Sequence, residues 1–291
     1  MVRTALAGGT LVSVRRGVVL RADAWPQDPA AQHLVRAHAE LAANPDAVLS
    51  HESAALSWGL PSPGFEGWAA APVSVTLPAI GHTWHASGAI HHLETLPAHH
   101  VQRDPHGYAV TSPARTAVDV ARGLELPRAL VVLDGAARVI CASLVTAVRR
   151  RDFANPRLVR AAVDLLTQAA TEARAARLDD VLSLVNPSRE SAPESLSAGH
   201  IYAAGLPMPR FQAEIRTPIG TFFADCLWED QRLIGECDGA VKYADAQGYV
   251  LEKEREQALR DEDFRFVRWQ AKEAVLRPLR MIERITRALE M

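Results

Sequence analysis

The chain has 291 residues, 32 Lys and Arg against 34 Asp and Glu, a formal net charge of −2 at pH 7, and 48% hydrophobic residues. That is the balance of an ordinary globular protein long enough for two cores; it excludes a uniformly basic nucleic-acid binder, so any DNA affinity must sit in local patches. No apolar run reaches membrane-spanning length, the start lacks a signal-peptide h-region, and Cys141, Cys226 and Cys237 show no metal-ligand spacing, which together predict a cytoplasmic chain.

In chain order, Leu11 to Leu20 holds two apolar runs around Arg15-Arg16-Gly17. This predicts a hairpin with a cationic tip within residues 1–25, with Arg15 and Arg16 as its nucleic-acid contacts. Gln32 to Leu41 is patterned as a helix. Ser50 to Pro61 reads as a second one, capped by Ser50 or Asp46 and ended by Gly59 and Pro61. Val73 to Leu77, His91 to Leu93 and Tyr108 to Val110 read as strands. Thr111 to Arg122 begins a helix with Thr111 or Ser112 as cap and Pro113 at its first position. Arg115 and Asp119 lie four apart on that helix, a spacing that predicts an intrahelical ion pair of about a few tenths of a kcal/mol. Most histidines fall between His33 and His106. Adjacent pairs on strands point to opposite faces, so neither His91-His92 nor His99-His100 is expected to chelate one ion, and the histidines read as solvated loop residues.

From Leu126 to about Leu184 the pattern is helical and rich in Ala, Leu and Val, with a break at Asn155-Pro156. Its arginines, among them Arg138, Arg149 to Arg151, Arg157 and Arg160, read as solvated faces. The functional alternative is a basic stripe that attracts a phosphate backbone.

The densest chemistry lies between Thr221 and Tyr243. Two β-prone runs, Thr221 to Trp228 and Leu233 to Cys237, flank a polar turn from Glu229 to Arg232. A turn centred between Asp230 and Gln231 sets Asp225 opposite Glu236 and Phe223 opposite Asp238. Three carboxylates then share a face with Phe223, Leu227 and Ile234. Like charges opposed on a ladder repel, so carboxylates there must be paired, protonated or bound to a cation. A divalent ion, Mg²⁺ or Mn²⁺, is the economical partner, with Lys242 as a further cation at the same end. Ser191-Ala192-Pro193-Glu194 fits a helix-opening capping box. Tyr249 to Glu262 reads as a charged helix, Phe264 to Trp269 as an alternating strand, and the residues after Pro278 as a final helix.

Several of these motifs carry resemblances. Glu194-Ser195, Gly205-Leu206-Pro207, Gly220, Asp225 and Gly235-Glu236-Cys237-Asp238-Gly239 with Lys242-Tyr243 resemble the Vsr-like domain of the PD-(D/E)XK endonuclease superfamily, over residues 185–291. The resemblance implies Asp225 and Glu236 as metal ligands, Glu194 as the helix acid, and a Lys two residues after the strand Glu. Asp238 stands at that Lys position. Either Lys242 supplies the cation, or the domain binds without cutting. The hairpin of residues 1–25 resembles the wing of a winged helix-turn-helix without its helices. Ser50-His51 with Ala54-Ala55 and Gly59-Leu60, and Thr111 to Ala121 with Leu133-Asp134, resemble type IV AbiEi-family antitoxins.

The expectation is therefore an α+β fold of four parts: a wing remnant at 1–25, an AbiEi-antitoxin-like domain at 26–137, a helical connector at 138–184 and a Vsr-like domain at 185–291. The expected activity is Mg²⁺- or Mn²⁺-dependent hydrolysis of DNA, with Glu194, Asp225, Glu236, Asp238 and Lys242 at the site. The alternative is a non-catalytic DNA-binding regulator or antitoxin, with DNA and a toxin as partners.

Overall fold

A computed structural model describes residues 1–64, 66–78, 81–86, 88–104, 106–239 and 246–291. The fold is α+β. It opens with α1 (Val2–Ala7) and the hairpin β1 (Leu11–Arg15) and β2 (Val18–Arg21), which turns at Arg16 and Gly17 as the apolar runs predict. Then come α2 (Pro29–Ala43), β3 (Val48–Leu49), α3 (His51–Ser57), β4 (Val73–Leu77), β5 (Trp84–Ala86), β6 (Ala89–Leu93), β7 (Val101–Arg103) and β8 (Ala109–Thr111). The six strands form one mixed sheet in the order β5-β6-β4-β3-β8-β7. Asp28 caps α2 by accepting from Ala31 N–H at 2.8 Å, and Ala37 and Leu41 of that helix pack on Leu49, Val75 and Val110 of the sheet.

The middle of the chain is a helical layer: α4 (Pro113–Ala121), α5 (Leu126–Ser143), α6 (Pro156–Glu172) and α7 (Asp179–Ser183). Ser112 caps α4 and Asn155 caps α6, each with Pro at the first helical turn, as the sequence signals require. Helix α5 runs through position 137 and is apolar on nearly all sides, the mark of a fully buried helix. Its Leu130, Leu133 and Ala137 pack with α4, α6 and α7, while Val131 joins the core of the C-terminal sheet. Most connector arginines, including Arg149 to Arg151, Arg157 and Arg160, are exposed. Arg138 instead lies half-buried over the Phe153 ring and donates to Pro187 O at 2.9 Å.

The last third contains α8 (Ala192–Ala203), β9 (Arg210–Thr217), β10 (Gly220–Trp228), β11 (Leu233–Asp238), α9 (Ala246–Asp261), β12 (Arg265–Gln270), α10 (Ala271–Leu276) and α11 (Pro278–Glu290). The sheet order is β12-β11-β10-β9, with β11 and β12 parallel across the α9 crossover and the other pairs antiparallel. Cys226, Trp228, Val267 and Trp269 pack toward α8, α10 and α11, whereas Leu227 and Ile234 pack with Leu259 of α9. Both faces are thus covered, and the acids near the end of the hairpin must find partners between helices. Helix α8 meets α5 closely: a Cβ on Gly199 would sit 2.5 Å from Pro127 Cα, so only glycine permits this approach.

Candidate functional site

The hairpin register is the expected one: Cys226, Leu227 and Trp228 face Gly235, Ile234 and Leu233. Pairing stops at Cys226 and Gly235, so the strands fork at the level of Asp225 and Glu236. Into that fork Asp225 Oδ2 accepts the backbone N–H of Cys237 at 3.0 Å. Across the other edge, β9 places Gln212 in the left-handed region, at φ 49°, beside Asp225. Its amide nitrogen donates to Glu194 Oε2 at 2.8 Å and to Asp225 Oδ1 at 3.4 Å. The helix acid and the strand acid therefore converge on one side chain.

Glu194 stands in the first turn of α8. Ser191 accepts its N–H at 3.3 Å and donates its hydroxyl to Oε1 at 2.7 Å, while Oε2 takes the N–H of Glu190 at 3.0 Å. The carboxylate thus reaches one residue before the cap rather than the cap's own N–H, a variant of the predicted box. Cys226 and Cys237 line the same side. Burial first, then the charges of Asp225 and Glu194, pushes the Cys237 thiol up to about 12 and holds that of Cys226 well above the ordinary range. Both are inert small apolar groups, as expected.

Glu236 is only 2% exposed and is held elsewhere. Arg255 of α9 reaches its Oε1 at 2.8 Å and Arg268 of β12 reaches Oε2 at 2.8 Å. Arg268 also approaches Asp238 at 3.7 Å and Glu252 and Glu256 at 3.4 and 3.3 Å. The carboxylates on this face are thus answered by arginines. Among the described residues, Glu194, Asp225 and Glu236 do not form a group of three whose ligand atoms all lie within 4.8 Å of one another. Among the described residues no three-carboxylate set is assembled there, and Glu194 and Asp225 meet through the Gln212 amide. Lys242 lies outside the described residues, and Lys253 pairs with Glu256 at 3.2 Å.

Gln212, Arg255 and Arg268 are the partners that sequence reading missed. For Arg268 a signal existed, since it shares strand parity with Phe264 and Phe266, which pack under α9. An arginine on an apolar stripe points to a buried acid opposite. Nothing local marked Gln212.

Beside the fork, a cavity of about 660 Å³ is lined by Asp238, Arg268, Lys272, Glu273, Arg277 and Arg284, among others. Its lining is mixed in charge: Arg268 is answered by Glu236 and Asp238, and Arg284 by Glu273 at 2.9 Å, with Lys272 and Arg277 beside them.

At the N-terminal hairpin the two expected nucleic-acid contacts differ. Arg16 is exposed, while Arg15 turns inward to the nearly buried Glu40 at 2.7 Å. The histidine expectation needs correction. His33, His51, His91 and His100 are buried rather than solvated. His91 and His92 do point to opposite faces, His91 to Glu40 at 3.3 Å and His92 onto the His51 ring with centroids 3.6 Å apart. Arg115 and Asp119 also depart from a surface pair: both side chains are 1% exposed, their closest contact is 2.9 Å, and Arg115 extends to Glu94 at 2.5 Å.

The chain is similar to two Mycobacterium tuberculosis proteins, uncharacterized protein MT2308 of strain CDC 1551 and uncharacterized protein Rv2248 of strain H37Rv. Each is 29% identical over 189 residues, spanning 63% of this chain and 63% of the relative's length. No family model matches the chain, and no solved structure matches it at a significant level. Among the described residues no helix is long and apolar enough to cross a membrane.

Proposed function

We propose that the C-terminal module is a nuclease-type site directed at a DNA phosphodiester, with Glu194 and Asp225 as the residues that hold a Mg²⁺ or Mn²⁺ ion. The observation that supports this reading is the convergence of the two acids, from a helix start and a forked strand, on the single amide of Gln212. When bound, such an ion supplies Lewis-acid polarisation of a phosphoryl oxygen and a more acidic water. The chain's own residues do the rest. Glu236 anchors and orients Arg255 and Arg268, and Lys272 and Arg277 of the neighbouring cavity offer charge-assisted hydrogen bonds to backbone phosphates. The resemblance to Vsr-like domains implied Asp225 and Glu236 as the ligands; this reading keeps Asp225 and puts Glu194 in place of Glu236, which Arg255 and Arg268 hold.

A second reading is favoured by Glu236 itself. A carboxylate with a guanidinium on each oxygen, two residues before an Asp where the resemblance implies a Lys, suits a regulator or antitoxin that binds DNA or a toxin without cutting.

Metal-dependent nicking of supercoiled plasmid by the full chain separates the two. On the first reading, nicking requires added Mg²⁺ or Mn²⁺ and is abolished in Asp225→Asn and in Glu194→Gln. Nicking that survives Asp225→Asn removes the catalytic assignment. DNA binding that weakens with salt, without nicking under any metal, selects the regulator.

A further inference from the structure

Among the described residues one group of three side chains has all its ligand atoms within 4.8 Å of one another: His99, His100 and Glu172. The expectation that adjacent histidines diverge rests on a strand. Here Ala98–His100 is a 3-10 turn, closed by His100 N–H to Pro97 O at 2.9 Å. Successive side chains in such a turn are about 120° apart rather than opposed, so both imidazoles swing to the same side. Their Nε2 atoms approach Glu172 Oε2 at 2.9 and 2.7 Å.

We propose that His99, His100 and Glu172 bind a borderline divalent cation of the Zn²⁺ class, with a fourth, exchangeable coordination position. Two imidazoles and one carboxylate match the donor preference of Zn²⁺, while Mg²⁺ takes oxygen ligands. A tetrahedral ion with bonds of about 2.0–2.2 Å sets its ligand atoms about 3.3–3.6 Å apart, so the contacts of 2.9 and 2.7 Å need to open by about 0.4–0.9 Å. The supporting shell is in place. Gln168 donates to Glu172 Oε1 at 2.8 Å and leaves Oε2 turned to the histidines. The Ser112 N–H donates to His100 O at 2.8 Å and pins the turn. His100 is buried, while His99 and Glu172 are exposed.

Both histidines also line a cavity of about 190 Å³ walled by Trp58, Ile140, Leu144 and Leu165. Three protein ligands beside an apolar cavity are the pattern of a site that keeps one position for water or a small ligand. This proposal is independent of the acids at the fork.

The test is titration of the metal-stripped full chain with Co²⁺, read by its visible absorption, and with Zn²⁺ in competition with a chromophoric chelator. About one equivalent is expected to bind with the intense spectrum of four-coordinate Co²⁺. His99→Ala, at an exposed side chain, and Glu172→Gln should each weaken binding by more than the roughly 10- to 100-fold that loss of an outer-shell partner costs, with metal-free melting little changed. Absence of stoichiometric binding overturns the proposal. So does binding that neither substitution weakens, which would place the ion elsewhere.

Discussion

Asp134 of α5 and Arg189 form a two-pronged buried ion pair, Nε to Oδ2 at 2.7 Å and Nη2 to Oδ1 at 3.0 Å, with both side chains no more than 2% exposed. Ser195 of α8 donates to Oδ2 at 2.7 Å and Asn186 N–H to Oδ1 at 2.8 Å, so the carboxylate ties the helical layer to the start of the C-terminal module. Removing one partner strands the other charge in a dry site. Asp134→Ala should therefore lose about 3–5 kcal/mol of stability, measured by urea unfolding. A loss below about 1 kcal/mol, the range of exposed pairs, would show that water reaches Arg189 in the native state.

Asp225 accepts hydrogen bonds from Cys237 N–H and Gln212, so the fork depends on its carboxylate. Asp225→Ala should cost about 1–3 kcal/mol, because the Cys237 N–H loses its acceptor, and Asp225→Asn should cost less because its amide oxygen still accepts. Equal melting temperatures for the two variants would count against the fork hydrogen bond.

Arg15 and Arg16 should separate cleanly. Arg15→Ala leaves the nearly buried Glu40 without its closest cation and should destabilise by about 2–3 kcal/mol. Arg16→Ala, at the exposed turn, should stay within about 0.5 kcal/mol. Paired thermal melts check the ranking, and a destabilised Arg16→Ala would contradict it.

Burial first, then the charge of Arg122, lowers the His92 imidazole from 6.5 to about 4, and burial also lowers the stacked His51. Unfolded, His92 takes up a proton as pH falls through about 6.5, while folded it does so only near 4. The stability it confers is thus full above pH 6.5 and is lost as pH falls toward 4. Urea midpoints should drop between about pH 7 and about pH 5, and His92→Gln should flatten that slope. An unchanged slope would assign the acid sensitivity to other groups.

Gly235 faces the two indoles of the C-terminal core: a Cβ there would meet Trp228 Cζ3 and Trp269 Cη2, each at 2.9 Å. Those rings are held by hydrogen bonds from Trp228 to Pro207 O at 2.7 Å and from Trp269 to Ser197 Oγ at 2.9 Å. Gly235→Ala should cost about 1–3 kcal/mol through overpacking, with a blunted near-ultraviolet Trp spectrum. A neutral variant would mean the rings move freely.

What the sequence by itself determined is what neighbours along the chain decide. The cap at Ser112-Pro113, the break at Asn155-Pro156, the helix after Pro278 and the pairing of Leu227 with Ile234 each rest on a few adjacent residues whose backbone preferences and apolar period agree. Apart from Asp119, which meets Arg115 four residues away as the helix spacing predicts, tertiary structure decided which groups answer the buried charges. Arg255 and Arg268 lie 19 and 32 positions beyond Glu236, and His100 is 72 positions from Glu172. Gln212 reaches both acids from a left-handed residue inside a strand, a conformation no local pattern announces. Such partners follow from how helices close over a sheet, because a charge taken out of water is satisfied by whatever donor the packing brings near, not by spacing along the chain.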